Sequence, residues 1–163
     1  MIPDGREPGA GAGFAHAPVS LGDGVLHRIE TSVHGPDYRH VRAFVLLEDL
    51  SGVAVLDRFV AGDRPLSTEG FLHFDAAVAV ALDASRRVFA LHGERRLHIV
   101  AHAVAGQFGD LAVRCGQAGT VLRYGFSGVR CVAGGLLIAT SAEGLARLLG
   151  AVEGEPVRRA LAG

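Results

Sequence analysis

The chain has 163 residues and a mass of 17.0 kDa, which is the size of one domain. Hydrophobic residues make up 49% of it and charged residues 20%, a balance that excludes an intrinsically disordered chain. The formal net charge is −1, which argues against a nucleic-acid-binding protein and against a polybasic membrane-surface protein. We therefore expect no nucleic-acid partner and no membrane partner.

The amino-terminal residues lack both the basic segment and the apolar segment of a signal peptide, and no apolar run reaches the ~18 residues of a membrane span. We therefore expect a cytoplasmic protein in which Cys115 and Cys131 are free thiols. All 16 basic residues are arginine, which indicates a GC-rich genome rather than selection for phosphate recognition. No phosphate loop, dinucleotide loop or nucleophile elbow is present, and we expect no cofactor.

Residues 1–24 are rich in Gly and Pro and predict an irregular amino-terminal arm. Residues 39–49 then alternate with a period of two, as do residues 53–60 after a short turn, which predicts a β-hairpin. Arg64 and Pro65 predict a break in the chain.

Further strand-like segments follow at short intervals, and glycines separate many of them. They cover residues 69–75, 76–82, 87–92, 96–104, 111–115, 120–126, 129–132 and 136–140. Residues 87–92 and 96–104 predict a second hairpin across Gly93 and Glu94. Strands with this spacing are typical of sandwiches and barrels. We predict an all-β fold over residues 25–140, an antiparallel β-sandwich of about ten short strands.

The carboxy-terminal residues 141–163 differ in pattern and predict a helical tail. Ser141 is a suitable N-cap for a helix that runs to about Leu149. Glu155 and Pro156 predict one further helical turn, with Pro at its first position.

Two of the eight histidines, His98 and His102, are four residues apart, which on a helix is the spacing of a metal-binding pair. The sequence around them predicts a strand instead, and on a strand their Cα atoms would lie about 13 Å apart. One metal ion cannot span that distance, so we expect no metal site.

Polar side chains interrupt the apolar strands at four positions: His40, Arg42, His73 and His98. If a ligand binds, we expect it over the face that carries them, with His102 and Asp57 as further ligand-binding candidates. A solvated outer face is the structural alternative. Arg42 itself has two interpretations: it binds a carboxylate or sulfate of the ligand, or it pairs with Asp57 or Glu48 across the hairpin. No catalytic residue is assigned.

Residues 37–60, D-Y-R-H-V-R-A-F-V-L-L-E-D-L-S-G-V-A-V-L-D-R-F-V, resemble the carboxy-terminal β-sheet region of heparinase II/III-like polysaccharide lyases. The His-x-Arg of His40 and Arg42 and the Leu-Asp-Arg around Asp57 take the places of that family's two strand motifs. The segment F-L-H-F at 71–74 and the segment D-G-R at 4–6 are also similar to the family.

The resemblance implies a β-sandwich domain that binds a saccharide or completes a polysaccharide lyase, and that is inactive alone. The family's catalytic Tyr and His belong to a preceding toroid, and its metal ligands lie in earlier strands, so all these positions would precede Met1. Its Trp-containing loop is missing, because the chain has no Trp. The implied partners are an anionic saccharide and either a separate toroid subunit or a second copy in a homodimer.

Two other interpretations remain open at this stage. A small β-barrel cyclase or isomerase would hold an apolar metabolite in an interior lined by Ala, Val and Leu. A purely structural subunit would instead expose an extensive apolar patch.

Overall fold

The fold is built around two long antiparallel strands. A computed structural model describes residues 1–162. Its elements are β1 (Ile2–Pro3), β2 (Gly13–Ala15), β3 (Val19–Ser20), β4 (Gly24–Thr31), β5 (Arg39–Leu47), β6 (Gly52–Phe74), β7 (Ala79–Leu82), β8 (Val88–His92), β9 (Arg95–Ala105), β10 (Gln107–Gly116), β11 (Gly119–Ala139), α1 (Ala142–Glu153) and α2 (Glu155–Ala162). The all-β sandwich and the helical tail are thereby confirmed.

The strand order is β2-β4-β5-β6-β11-β9-β8-β7, and the sheet does not close on itself. β6 and β11 pair along nearly their whole lengths, but their two halves have different outer neighbours. The first half of β6 pairs with β5 and the second with β1, whereas the first half of β11 pairs with β10 and the second with β9. The two halves form the two layers of the sandwich, and both long strands pass from one layer to the other.

Two hydrophobic clusters fill the fold. One joins side chains from both halves of the bent sheet, with Phe59, Leu122 and Phe126 among its members. The other lies between the sheet and the two helices and includes Leu56 and Leu148. The two faces of the sheet are therefore buried against different layers, which places alternate residues of β5 and β6 in different environments.

The predicted strand breaks within β6 and β11 were wrong. Pro65 does not end β6 but lies opposite Val129 of β11. The bend occurs nearby, where Gly62 adopts a φ of +64° and the register shifts between Val129 and Cys131. The glycines of β11 allow close approach rather than turns: a Cβ atom at Gly135 would collide with the carbonyl oxygen of Val55 on β6.

The amino-terminal arm is more regular than its composition predicts, because it contains three strands of two or three residues. β2 and β3 pair with β4, and β1 pairs with the second half of β6. The Asp4 carboxylate fixes the arm by accepting hydrogen bonds from Tyr38 Oη, Arg64 Nη1 and the Ser67 amide. These contacts bring Met1 onto the sheet.

The predicted hairpins β5–β6 and β8–β9 and the N-cap Ser141 are confirmed, and Ser141 Oγ accepts a hydrogen bond from the Gly144 amide at 3.0 Å. The first helix continues to Glu153 instead of ending at 149, and α2 follows directly. Buried leucines and valines of both helices pack on β5 and β6. Within residues 1–162, the helices are too short to cross a bilayer.

Candidate anion-binding site

The Asp57 carboxylate lies at the centre of a buried polar cluster, with only 2% of the residue exposed. Its Oδ1 accepts hydrogen bonds from His40 Nε2 and Arg42 Nε, both at 2.7 Å. Its Oδ2 accepts from the Met1 amine at 2.8 Å and from Arg42 Nη2 at 3.0 Å. Four donors therefore saturate one carboxylate, and Asp57 has little capacity left to bind a ligand or metal.

The register of the β5–β6 hairpin explains this convergence. Arg42 lies directly opposite Asp57, and His40 lies opposite Phe59, so all four side chains share one face of the sheet. On its other side Asp57 faces Gly134 of β11, which has no side chain to fill the space. The Arg42–Asp57 pair therefore lies between Ile29 of β4 and Gly134 of β11 in the sheet.

The surrounding charges keep Asp57 ionised. Burial by itself would raise its pKa. Three neighbours outweigh burial and hold the pKa of Asp57 well below its usual value. His40 donates a hydrogen bond, the Met1 amine contributes its charge, and Arg42 contributes both a hydrogen bond and a charge. The hydrogen bond to Asp57 and the negative charge of Asp57 raise the pKa of Arg42. The ionised Asp57 and the positive Arg42 therefore form a stable buried pair.

Two buried imidazoles extend the cluster. The ring of His40 stacks on Phe59 with a centroid distance of 4.2 Å, and the ring of His34 lies 5.1 Å from that of His40. An ionised carboxylate only accepts hydrogen bonds, so His40 must carry its hydrogen on Nε2. The Nδ1 atoms of His34 and His40 are both buried without a hydrogen-bond partner. Burial and the neighbouring His40 lower the pKa of His34.

These imidazoles and Arg42 line a cleft of about 630 Å³ between β4, β5, the second half of β6 and the amino-terminal arm. Arg42 is 37% exposed, so its guanidinium joins the buried carboxylate to the open space. The remaining wall is mainly apolar, with Glu7 and Glu69 as the acidic residues. The lining residues are Met1, Ile2, Glu7, Pro8, Gly13, Ile29, Thr31, Val33, His34, His40, Arg42, Phe44, Glu69, Gly70 and Phe71.

Tyr124 of β11 approaches the cluster from the second layer. Its ring lies against Gly70, where a Cβ atom would overlap the phenol. Burial, together with the negative charge of Asp57, raises the pKa of Tyr124 to about 12, so the phenol is protonated at neutral pH.

The structure brings together three of the six predicted ligand-binding residues: His40, Arg42 and Asp57. The prediction that His98 shares a face with them was wrong. His98 pairs with Ala139, which packs on the helical side, whereas His40 pairs with Phe59 on the opposite side.

His102 also lies on the helical side, opposite Gly135 and near Glu153 of α1, whose charge opposes the lowering of the pKa of His102 by burial. His73 is exposed on the second half of β6 and does not line the cleft. The alternation of apolar and polar residues predicts which side chains share a face within one strand. It does not predict which faces of different strands come together after the sheet bends.

Sequence reasoning missed His34, the Met1 amine and Glu69. His34 lies between β4 and β5, where no strand alternation marks it as buried. The Met1 amine reaches Asp57 across 56 residues of sequence. Glu69 was predicted as part of a strand, but it reaches the cleft only because β6 continues through Pro65 and pairs with β1.

Among residues 1–162, no three His, Cys, Asp or Glu side chains form a cluster that could hold a metal ion. Comparisons with protein-family models and with curated proteins found no match to this chain.

Proposed function

We propose that this chain is a saccharide-binding β-sandwich domain, similar to the sheet domain of heparinase II/III-like lyases, whose cleft takes the carboxylate of an acidic sugar. The observation that supports it is the Arg42 guanidinium, which pairs with a saturated carboxylate and also lines the cleft. Asp57 accepts four hydrogen bonds, two of them from Arg42, and Arg42 is partly exposed in the cleft.

Arg42 favours a carboxylate or sulfate as that acceptor. A guanidinium has five N–H donors, and two of those on Arg42 bind Asp57. Arg42 is also partly exposed and lines the cleft. Planar, charge-assisted pairs of this kind are the strongest hydrogen bonds that an arginine makes, and they favour anions over neutral ligands.

The rest of the cleft favours a sugar acid over a small inorganic anion. Its volume of about 630 Å³ lies within the range of ~300–1,000 Å³ usual for small-molecule sites. Ile29, Phe44 and Phe71 supply apolar wall for the C–H faces of a sugar ring. The imidazoles of His34 and His40 and the hydroxyl of Thr31 add polar lining to this wall.

The proposal includes no activity for the isolated chain. Following the resemblance to the lyases, the domain acts with a partner, either a toroid subunit or a second copy. We expect that adding the isolated protein to a uronate-containing polysaccharide yields no unsaturated product. Appreciable β-elimination by this chain alone would overturn that part of the proposal.

Calorimetric titration with galacturonate, with galactose as the neutral analogue, tests the cleft. Thr31 lines it and lies opposite His40. Thr31→Glu places a negative charge there without removing any Asp57 partner, and Thr31→Gln is the neutral control of equal size. We expect the wild type to bind galacturonate but not galactose, Thr31→Gln to retain binding and Thr31→Glu to lose it. Equal binding of both sugars, or equal effects of both variants, would contradict the proposal.

The structure offers less support for a cyclase or isomerase of an apolar metabolite. That alternative depended on an enclosed barrel interior, whereas the sheet does not close and the cleft lies between its outer strands and the arm.

A further inference from the structure

The β8–β9 hairpin concentrates arginines that have no carboxylate partner. Most arginines of the protein pair with an Asp or Glu. Within residues 1–162, the guanidinium groups of Arg87 and Arg96 have no carboxylate oxygen within 4.0 Å, and those of Arg86 and Arg95 have none either. The carboxylate nearest to Arg87 belongs to Asp83, which accepts a hydrogen bond from the Arg87 backbone amide at 2.9 Å. Unpaired cations gathered in one hairpin are a surface that suits an anion.

The pairing of the two strands shows which side chains share this surface. Phe89 lies opposite His98, and Leu91 lies opposite Arg96. The alternate residues Val88, Ala90 and Ile99 are buried in the core. Arg87 precedes Phe89 by two positions and belongs to the outer side. We call the surface formed by Arg87, Phe89, Leu91, Arg96 and His98 the β8–β9 face.

Ring contacts hold the cations of this face in place. The guanidinium carbon of Arg96 lies 4.1 Å from the centroid of the Phe89 ring. The ring of His98 meets that of Phe89 edge to face, with centroids 5.3 Å apart. A stacked guanidinium loses less conformational freedom when it binds an anion than a free one does, so the face is partly preorganised.

Arg87 and Arg96 place two positive charges near His98, while the acidic residues Asp83 and Glu94 lie in the adjoining turns. Burial lowers the pKa of His98, and the positive charges of Arg96 and Arg87 lower it further, with no carboxylate acting in the opposite direction. Leu91 is 39% exposed beside these groups and adds apolar area. The face therefore combines two fixed positive charges with exposed carbon surface.

We propose that the β8–β9 face is a second binding site, which takes an acidic polysaccharide chain. The inference rests on the proposed function for the saccharide class of its ligand. The face is distinct from the cleft, because His98 lies on the helical side of the sheet and His40 on the opposite side. An open face with charges on two strands suits a polymer that presents repeated carboxylates or sulfates.

Other polyanions fit this face less well. An extended acidic peptide gains most of its affinity by adding a strand to an open sheet edge. Here β8 and β9 already have neighbours on both sides, and β10 approaches the edge strand β7. A single-stranded nucleic acid stacks its bases on several aromatic side chains, whereas the Phe89 ring of this face is already in contact with Arg96 and His98.

Binding of polygalacturonate and of heparin to the whole protein, measured at low and moderate salt, tests the proposal. The test variant is Arg87→Gln with Arg96→Gln. The matched control is Arg114→Gln with Arg158→Gln, which removes two exposed arginines on β10 and α2 that also have no carboxylate partner. Because both double variants change the net charge equally, only the position of the charges differs. Thermal melting checks that both remain folded.

We expect the wild type to bind the polymers and the test variant to bind them about tenfold more weakly or worse, with a smaller salt dependence. The affinity of the control for the polymers should stay within about twofold of the wild-type affinity, because salt screens the interaction of the polymer with distant surface charges. Equal losses in the two double variants, or no polymer binding by the wild type, would overturn the inference.

The titration with galacturonate separates this inference from the proposed function. If the cleft and the face are independent, Thr31→Glu loses galacturonate binding and still binds the polymers. The double variant Arg87→Gln with Arg96→Gln then keeps galacturonate binding and loses polymer binding. If the wild type binds no galacturonate but its polymer binding still requires Arg87 and Arg96, the cleft proposal fails and the face stands.

Discussion

Arg42 and Asp57 lie directly opposite each other on β5 and β6, and the guanidinium of Arg42 contacts both oxygens of the Asp57 carboxylate. Asp57 is buried, whereas Arg42 is 37% exposed. Of the two interpretations that the sequence left open for Arg42, the structural pairing is therefore present, with Asp57 and not Glu48 as the partner. Because Arg42 is also partly exposed and lines the cleft, anion binding by the same guanidinium stays a proposal.

Arg42→Met should destabilise the protein. It leaves the buried Asp57 carboxylate with only the His40 and Met1 donors, and we expect the free energy of unfolding to fall by about 2–4 kcal/mol. Urea denaturation measures this. Arg147→Met is the control: Arg147 bridges Asp23 and Asp49 at the surface, and exposed pairs contribute about 0–1 kcal/mol. Equal losses in the two variants would show that burial of Asp57 does not set the energy of its pairing.

Gly135→Ala should disrupt the pairing of the two long strands. The new Cβ atom would overlap the carbonyl oxygen of Val55, which belongs to the backbone of β6 and cannot move aside without breaking the β6–β11 ladder. We expect a loss of more than about 3 kcal/mol in the free energy of unfolding, measured by thermal or urea denaturation.

Gly150→Ala is the matched control for that substitution. Gly150 lies within α1, and a Cβ atom there meets nothing within 4 Å. Since Ala favours helix over Gly, the variant should be more stable by about 0.5–1 kcal/mol. A destabilised Gly150→Ala together with a tolerated Gly135→Ala would contradict this description of the fold.

Stability should fall as the pH falls through the ordinary histidine range. Burial lowers the pKa of His34, His98 and His102 in the folded protein, so the unfolded chain binds more protons once the pH drops below about 6.5. The free energy of unfolding should be constant above that range and decrease below it. Urea denaturation at pH 8, 6.5 and 5.5 measures the slope.

His34→Gln should reduce this pH dependence, because it removes one group that must become protonated on unfolding. His73→Gln, which changes an exposed histidine, is the control. If the slope for His34→Gln equals that of the wild type, His34 does not take up a proton on unfolding.

Glu69→Gln should strengthen the binding of a sugar acid. Glu69 lines the cleft and pairs with Arg123. Removing its charge eliminates a repulsion and leaves Arg123 without that partner, so affinity for galacturonate should rise about two- to fivefold in calorimetry. Glu48→Gln, on the exposed turn after β5, should leave affinity unchanged. Weaker binding by Glu69→Gln would mean that Glu69 accepts a hydrogen bond from the ligand.

The sequence by itself determined the local features, because these depend on neighbouring residues. Alternation specified the β5–β6 and β8–β9 hairpins, and Ser141 specified the start of α1. The same alternation put His40 and Arg42 on one side of β5, and the short turn aligned Arg42 with Asp57. Half of the predicted ligand-binding residues therefore lie together.

Only the tertiary structure decided the rest. Pro65 and the glycines of β11 resemble strand breaks in sequence, yet they lie inside β6 and β11, because contacts across the sheet override local preference. The Met1 amine and His34 reach Asp57 and His40 through long-range packing that carries no local pattern. The bend of the two long strands also decides which faces meet, and for that reason His98 belongs to a different surface from His40.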